Sequence, residues 1–187
     1  DVGAGPFEVP YRWRPLTWEV DGEQYCNERA VATQQTGFSF IAQARDWMPN
    51  AIGGIIWWGV DDAGVTVYMP MYSSMTSVPH CVAVGNGSMM EFSETSAFWL
   101  FNQVSNLTYT RYNYMIKDVQ NVQLKLEADF IQEVKNIDKA AKALNKETPD
   151  LAVEYITDYS AKAVRTTMKA YKKLYAFVAF ILLCAVL

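Results

Sequence analysis

Two stretches that are apolar at nearly every position, residues 52–60 and 65–72, are separated only by Asp61-Asp62-Ala63-Gly64. Both are rich in β-branched and aromatic side chains, and a short Asp/Gly connection between them predicts an antiparallel hairpin. Alternating apolar and polar residues would mark a sheet with one wet face; their absence predicts that both faces are covered. A sheet buried on two sides needs a second sheet or layers of helix against it. Gly53-Gly54 at the start of the first stretch marks a bulge or a close backbone approach. Upstream, Phe38-Ser39-Phe40-Ile41-Ala42-Gln43-Ala44 reads as another strand, ended by Arg45-Asp46 and Pro49.

Residues 1–24, with Pro6, Pro10 and Pro15, are expected to be loop-like. Val9-Pro10-Tyr11-Arg12-Trp13 should be extended, because a proline pushes its predecessor into the β region. After a loop holding Pro79-His80 and Gly85-Asn86-Gly87, helices take over. Ser93 is the expected N-cap of a helix with Ala97, Leu100, Phe101 and Val104 on one stripe. Three- and four-residue steps from Ile116 through Val119, Leu126, Phe130, Val134, Ile137 and Ala141 to Leu144 predict a long helix over about 113–144, with Glu127, Lys135 and Lys142 outside. Thr148-Pro149 then supplies an N-cap with proline at the first helical position.

The expected organisation is a sheet-rich part with one helix over 1–112, a helical hairpin layer over 113–174 and an apolar tail over 175–187. The run 174–187 is uncharged, follows Lys169, Lys172 and Lys173, and is shorter than the roughly 20 residues of a membrane span. It reads as a buried terminal element or an unnatural tail, with a sticky exposed end and a marginal membrane anchor as alternatives. Asp1-Val2-Gly3-Ala4-Gly5-Pro6 reads as a turn-rich loop from the middle of a longer protein.

A net charge of −4, without any Lys/Arg cluster interleaved with aromatic residues, gives nucleic acid no basic surface. Cys26, Cys81 and Cys184 lack CxxC spacing, and with His80 as the single histidine there is no zinc set. No phosphate loop, dinucleotide fingerprint, HExxH, GxSxG or kinase signature is present. His80 has the chemistry of a general base and Asp61-Asp62 that of paired carboxylates, but turn and loop roles account for both. Ser73, Ser74, Thr76 and Ser77 read as ordinary loop residues and Cys26 as a packing residue. The densest polar cluster, Asn27, Glu28, Arg29, Gln34, Gln35, Thr36 and Ser39, leads into the strand at 38–44. It suits amides or a peptide at a strand edge, although a solvated loop is the plainer reading. Asn86-Gly87-Ser88 and Asn106-Leu107-Thr108 match the glycosylation triplet.

Several of these segments carry a resemblance. Ile52-Gly53-Gly54-Ile55-Ile56-Trp57-Trp58-Gly59-Val60, Thr66-Val67-Tyr68-Met69-Pro70-Met71-Tyr72, Ser96-Ala97-Phe98-Trp99-Leu100-Phe101 with Asn106-Leu107, and Gln43-Ala44-Arg45-Asp46-Trp47-Met48-Pro49 together resemble the distal half of the PepD-like dipeptidases. The resemblance implies an α+β fold, part of an αββα N-terminal-nucleophile hydrolase sandwich, with antiparallel strands followed by a helical hairpin. It implies hydrolysis of dipeptides by an amino-terminal cysteine whose own α-amine is the base, with no metal and no cofactor. The nucleophile is then expected upstream of Asp1, since all three cysteines are internal, and no catalytic residue carries over to this chain. Arg29, Gln35, Thr36 and Ser39 are the expected substrate-binding edge. The expected partners are a dipeptide substrate and the amino-terminal half of the same protein, with association through bare apolar faces also open. Neither nucleic acid nor a membrane is an expected partner. The resembled family occurs inside cells and exported, so no compartment follows. The rival reading is a non-catalytic module that holds a peptide or a partner protein.

Overall fold

The computed structural model describes residues 6–11, 17–26 and 32–184. Strand β4 (Gly54–Val60) pairs antiparallel with β5 (Met69–Tyr72), with Ile55 opposite Tyr72 and Trp58 opposite Met69. β3 (Phe38–Ala44) pairs with the other side of β4, from Phe38 opposite Val60 to Ala44 opposite Gly54, giving the order β3-β4-β5. The register is unbroken, so Gly53-Gly54 marks close approach rather than a bulge. A Cβ on Gly54 would lie 2.3 Å from Ser73 Oγ. The link from β4 to β5 is longer than the expected turn. Residues 61–68 form a packed loop in which Asp61 adopts a φ of 67° and Val65 and Val67 are buried.

Residues 17–24, expected as loop, belong instead to a small hairpin of β1 (Thr17–Val20) and β2 (Glu23–Cys26). Asp21 and Gly22 form its turn with φ of 53° and 82°, the paired positive values that a two-residue connection prefers. Trp18 and Tyr25 stack across the strands at 6.3 Å between ring centroids. Arg12 and Trp13, of the segment expected to be extended, lie outside the described residues.

Helix α1 (Ala97–Thr110) begins three residues later than Ser93 would place it, after Ser96. The Ser93 hydroxyl is engaged elsewhere, donating to Asn86 Oδ1 at 2.8 Å. Helices α2 (Tyr112–Glu147) and α3 (Pro149–Cys184) meet at Thr148 and pack along each other. Proline opens α3 as its missing N–H and fixed φ allow. Two clusters form the core. In one, Val65, Val67 and Met69 meet Phe101, Val104, Val119, Val164 and Tyr171. In the other, Ile52, Ile55 and Tyr72 meet Val134, Ala141, Ile156 and Tyr159. Phe101 and Tyr171 stack at 4.1 Å, and each fully buried side chain of this size is worth about 1.5–3 kcal/mol.

The free edge of β5 is closed by helical side chains. Ser160 Oγ accepts the Tyr72 backbone N–H at 3.1 Å, and in the loop before β5 the Tyr171 hydroxyl donates to the Val65 carbonyl. Sheet cover therefore starts at β5 and fades towards β3, where Phe38, Phe40 and Ile41 are 55–56% exposed. The expectation that both faces of the hairpin are covered holds for β5 and only in part for β4, where Ile56 is 36% exposed; the helices end their contact at β4 and leave β3 open. The fold class is α+β, antiparallel sheets followed by helices. The apolar tail is not a separate element: α3 runs unbroken to Cys184, with Leu174 and Val178 buried and Phe177, Phe180 and Leu183 exposed.

A clamp joins the end of β3 to α2. Arg45, 6% exposed, donates Nε to the Gly53 carbonyl at 3.1 Å and a terminal nitrogen to the Ile52 carbonyl at 2.8 Å. Its other terminal nitrogen pairs with the Asp138 carboxylate, which also accepts the Tyr72 hydroxyl at 2.6 Å. Removing one member of a buried pair strands the other charge. Arg45→Met is therefore expected to lower the unfolding free energy by about 3–5 kcal/mol in urea titrations, with part recovered in the Arg45→Met/Asp138→Asn double variant. A loss well under 1 kcal/mol would mean that solvent already screens Asp138.

Candidate functional site

β3 leaves a tight turn over residues 33–36. Thr36 N–H donates to the Thr33 carbonyl at 3.0 Å, Thr33 N–H to Thr36 Oγ1 at 3.2 Å and Gln35 N–H to Thr33 Oγ1 at 3.3 Å. These bonds engage both threonine hydroxyls in holding the turn, and Gln35 stands exposed at its tip. Two residues into the sheet pattern, Ser39 lies on the face that also carries Ile41, Gln43, Trp57 and Tyr72. Its hydroxyl shares a hydrogen bond of 3.0 Å with the Tyr68 hydroxyl. Arg29, with Asn27 and Glu28, lies outside the described residues. Of the expected substrate-binding set, the structure connects Ser39 to a groove, through Tyr68, and leaves Gln35 and Thr36 in the turn.

That groove, about 490 Å³ and open to solvent, runs between β3 and α2 and is lined by Ile41, Ala42, Gln43, Trp57, Tyr68, Glu127 and Ile131. It exists because the helices cover β5 and β4 but not β3. Apolar walls from Ile41, Trp57 and Ile131 surround a few polar groups, the usual make-up of a small-ligand site. Trp57 Nε1–H donates to Gln43 Oε1 at 3.0 Å, which fixes the indole across the sheet. Glu127 accepts the Tyr68 backbone N–H at 3.0 Å, and burial raises its carboxyl pKa while that hydrogen bond opposes the shift.

Glu127 corrects the helical reading. It was expected on the outer face of α2, yet it is half-buried against the sheet. Residue 127 is the neighbour of Leu126 at the margin of the apolar stripe, and Tyr68 presents a backbone N–H that needs an acceptor. Periodicity alone ranks such a position as exterior. Among the described residues the groove holds one carboxylate and no nucleophile with a base beside it. It can bind and orient a ligand that has both apolar and amide character.

The other candidates resolve into structural roles. Asp61 and Asp62 are 2% and 0% exposed. Asp62 accepts the Tyr11 hydroxyl at 3.0 Å, the Gly64 N–H at 2.8 Å and the Tyr109 hydroxyl at 2.6 Å. Asp61 accepts the Ser105 hydroxyl. The pair thus ties the amino-terminal segment and α1 to the loop after β4. Burial, reinforced by the charge of Asp62 and opposed by the Ser105 hydrogen bond, pushes the Asp61 pKa up to about 6.

Burial also raises the Cys81 thiol, so it is no ready thiolate, while Cys26 and Cys184 are exposed on β2 and at the end of α3. His80 sits beside Cys81 in a one-turn helix, exposed. Asn86 donates its amide to the His80 carbonyl at 3.0 Å and to Thr95 Oγ1 at 3.1 Å, so it organises its loop rather than presenting a free amide. No three His, Cys, Asp or Glu side chains converge as a metal set among the described residues.

Asp61 gives a pH prediction. Its folded pKa of about 6 exceeds the unfolded value of 3.8, so its proton is bound more tightly in the fold. The stability it contributes is complete below pH 3.8 and is lost as pH rises through about 6. Asparagine retains an acceptor for Ser105 and tolerates the positive φ. Asp61→Asn should therefore raise stability at pH 7 by up to about 3 kcal/mol and flatten thermal unfolding profiles across that window. A profile that keeps its original slope would show that Asp61 titrates at an ordinary carboxyl value.

A family model described as peptidase family C69 aligns with residues 9–125, more than half of the chain and including β3, the groove-lining strand residues and Tyr68. No curated protein matches the chain.

Proposed function

The chain belongs to peptidase family C69, and from that premise we propose that it forms the substrate-binding wall of a cysteine-type dipeptidase. Peptidase function follows from the family; cleavage of dipeptides in particular, and the need for further polypeptide, are the proposal. The observation that carries it is the combination of an open β3 with three unactivated thiols. β3 exposes apolar side chains on both faces, Phe38 and Phe40 on one and Ile41 on the other, beside a groove of small-ligand size. An edge strand of this kind calls for cover. A cysteine becomes a nucleophile when a base or an amino terminus takes its proton; among the described residues no base hydrogen-bonds a cysteine thiol, and burial raises the Cys81 thiol although His80 precedes it.

In this reading an amino-terminal cysteine, with its α-amine as base, is carried by polypeptide outside these 187 residues. That polypeptide adds strands beside β3 and a second sheet over Phe38, Phe40 and Trp58, completing an αββα sandwich of which α2 and α3 form one helical layer. Ser39, Thr36 and Gln35 then face the dipeptide backbone, and Arg29, by residue type, suits its carboxylate. No cofactor is called for. A non-catalytic peptide-holding module remains the second reading, since an open apolar strand edge can also take a peptide as an added strand.

Reconstitution separates the two. Mixed or co-expressed with a polypeptide whose mature first residue is cysteine, the chain should hydrolyse a panel of dipeptides, and that activity should vanish when the cysteine is replaced by alanine. Hydrolysis by the 187-residue chain alone would overturn the proposal. In the reconstituted enzyme Ser39→Ala is expected to raise KM about tenfold with kcat little changed, the mark of lost uniform binding. An unchanged KM would remove Ser39 from the substrate edge.

A further inference from the structure

The solvent face of α3 changes character along its length without changing direction. Lys162, Arg165, Lys169 and Lys172 follow one another at three- and four-residue steps, with Lys173 alongside, and the same stripe continues as Ala176, Phe180 and Leu183 flanked by Phe177. All are exposed, Phe177 by 48%, Phe180 by 64% and Leu183 by 71%. The opposite side of the same turns is anchored, with Leu174 and Val178 buried and Ile181 and Leu182 packed on the core. From Tyr159 to Cys184 there is no Asp or Glu, in a chain of net charge −4. The ion pairs among the described residues, Arg45–Asp138 and Lys125–Asp129, leave these cations out.

Beside the cations lies an open groove of about 660 Å³ whose lining includes His80, Arg165, Met168, Lys169 and Lys172. α3 lies outside the segment that matches the peptidase family, so the family match does not account for this surface.

We propose that the carboxy-terminal half of α3 is a docking surface for an anionic lipid membrane. The exposed apolar end enters the interface, and the cations behind it sit at the level of the phosphate headgroups, with the groove beside Arg165 and Lys172 seating one of them. The order of the stripe fits this occupant. Lysine and arginine are attracted to an anionic leaflet, while Phe and Leu side chains enter the headgroup–acyl boundary to a depth of about 5–10 Å. The rise from Lys173 to Leu183 is about 15 Å, so a tilted helix reaches that depth while its lysines stay at the surface. An acidic peptide would match the cations and leave three aromatic and aliphatic side chains in water. No helix among the described residues is long and apolar enough to cross a membrane, which is the reason a membrane was not expected; docking in the interface needs no spanning length.

Flotation of the full chain with lipid vesicles tests the proposal. Binding is expected to vesicles of equal parts phosphatidylserine and phosphatidylcholine, and to fall about tenfold or more on pure phosphatidylcholine. Phe177→Glu/Phe180→Glu and Lys169→Glu/Lys172→Glu/Lys173→Glu should each cause a loss of similar size with the circular dichroism spectrum unchanged. If the first variant is unfolded, the milder Phe177→Ser/Phe180→Ser pair replaces it. Equal binding to both vesicles, or binding untouched by the phenylalanine variants, would overturn the proposal. So would preference for soluble polyglutamate over vesicles, which would make the surface an acidic-peptide site. Dimerisation that Phe180→Glu abolishes, in a chain that ignores vesicles, would assign the stripe to a second copy and overturn it equally.

Discussion

The contact on which the rest of the structure depends is that of α3 with the outer edge of β5. A sheet edge exposes backbone donors and acceptors that must be satisfied, and here α3 supplies a partner through Ser160 and holds the adjoining loop through Tyr171. Once α3 is fixed there, α2 folds back beside it and covers the adjoining face, and the loop between β4 and β5 is trapped between sheet and helices. Val65 and Val67 are buried for that reason, and Asp61 and Asp62 must find partners inside the protein. Tyr11, Tyr109 and Ser105 provide them. The same geometry leaves β3 far from the helices and opens the groove beneath it.

Much of this is legible in the sequence because it rests on local chemistry. The apolar runs on either side of Asp61-Asp62, the strand at Phe38–Ala44 and the Thr148-Pro149 junction all record constraints that act within a few residues. The small hairpin also carried local marks, the Asp21-Gly22 turn and the polar–apolar alternation of Thr17-Trp18-Glu19-Val20, which the prolines just upstream obscured. What could not be read are matters of distance along the chain. Glu127 turns inward because Tyr68, far away in sequence, presents an unpaired N–H. β3 and β4 have similar apolar composition, yet β4 is half-covered and β3 is bare, since cover depends on how far the helices reach. Ser93 and Ser96 are equally good caps by type, and both hydroxyls turn to Asn86 instead of capping α1.

The site follows from the same asymmetry. Ser39, Gln43, Trp57, Tyr68 and Glu127 come together only where the helical layer runs out, and they give the groove its few polar groups among apolar walls. The carboxylate pair is sealed as an anchor, and burial raises the Cys81 thiol. The proposal that the chain supplies one component of a peptidase active centre rests on the open strand and the groove beside it. α3 has two roles in this account: its inner face builds the core, and its outer face presents cations followed by aromatic side chains.

Amide hydrogen exchange followed strand by strand tests the central claim, that β3 is an open edge completed by further polypeptide. Protection should decline from β5, whose Tyr72 amide is held by Ser160, to β3, where every second amide exchanges freely, and those β3 amides should become protected when a cysteine-first polypeptide is added. Uniform protection of β3 in the chain alone, unchanged on addition, would contradict it.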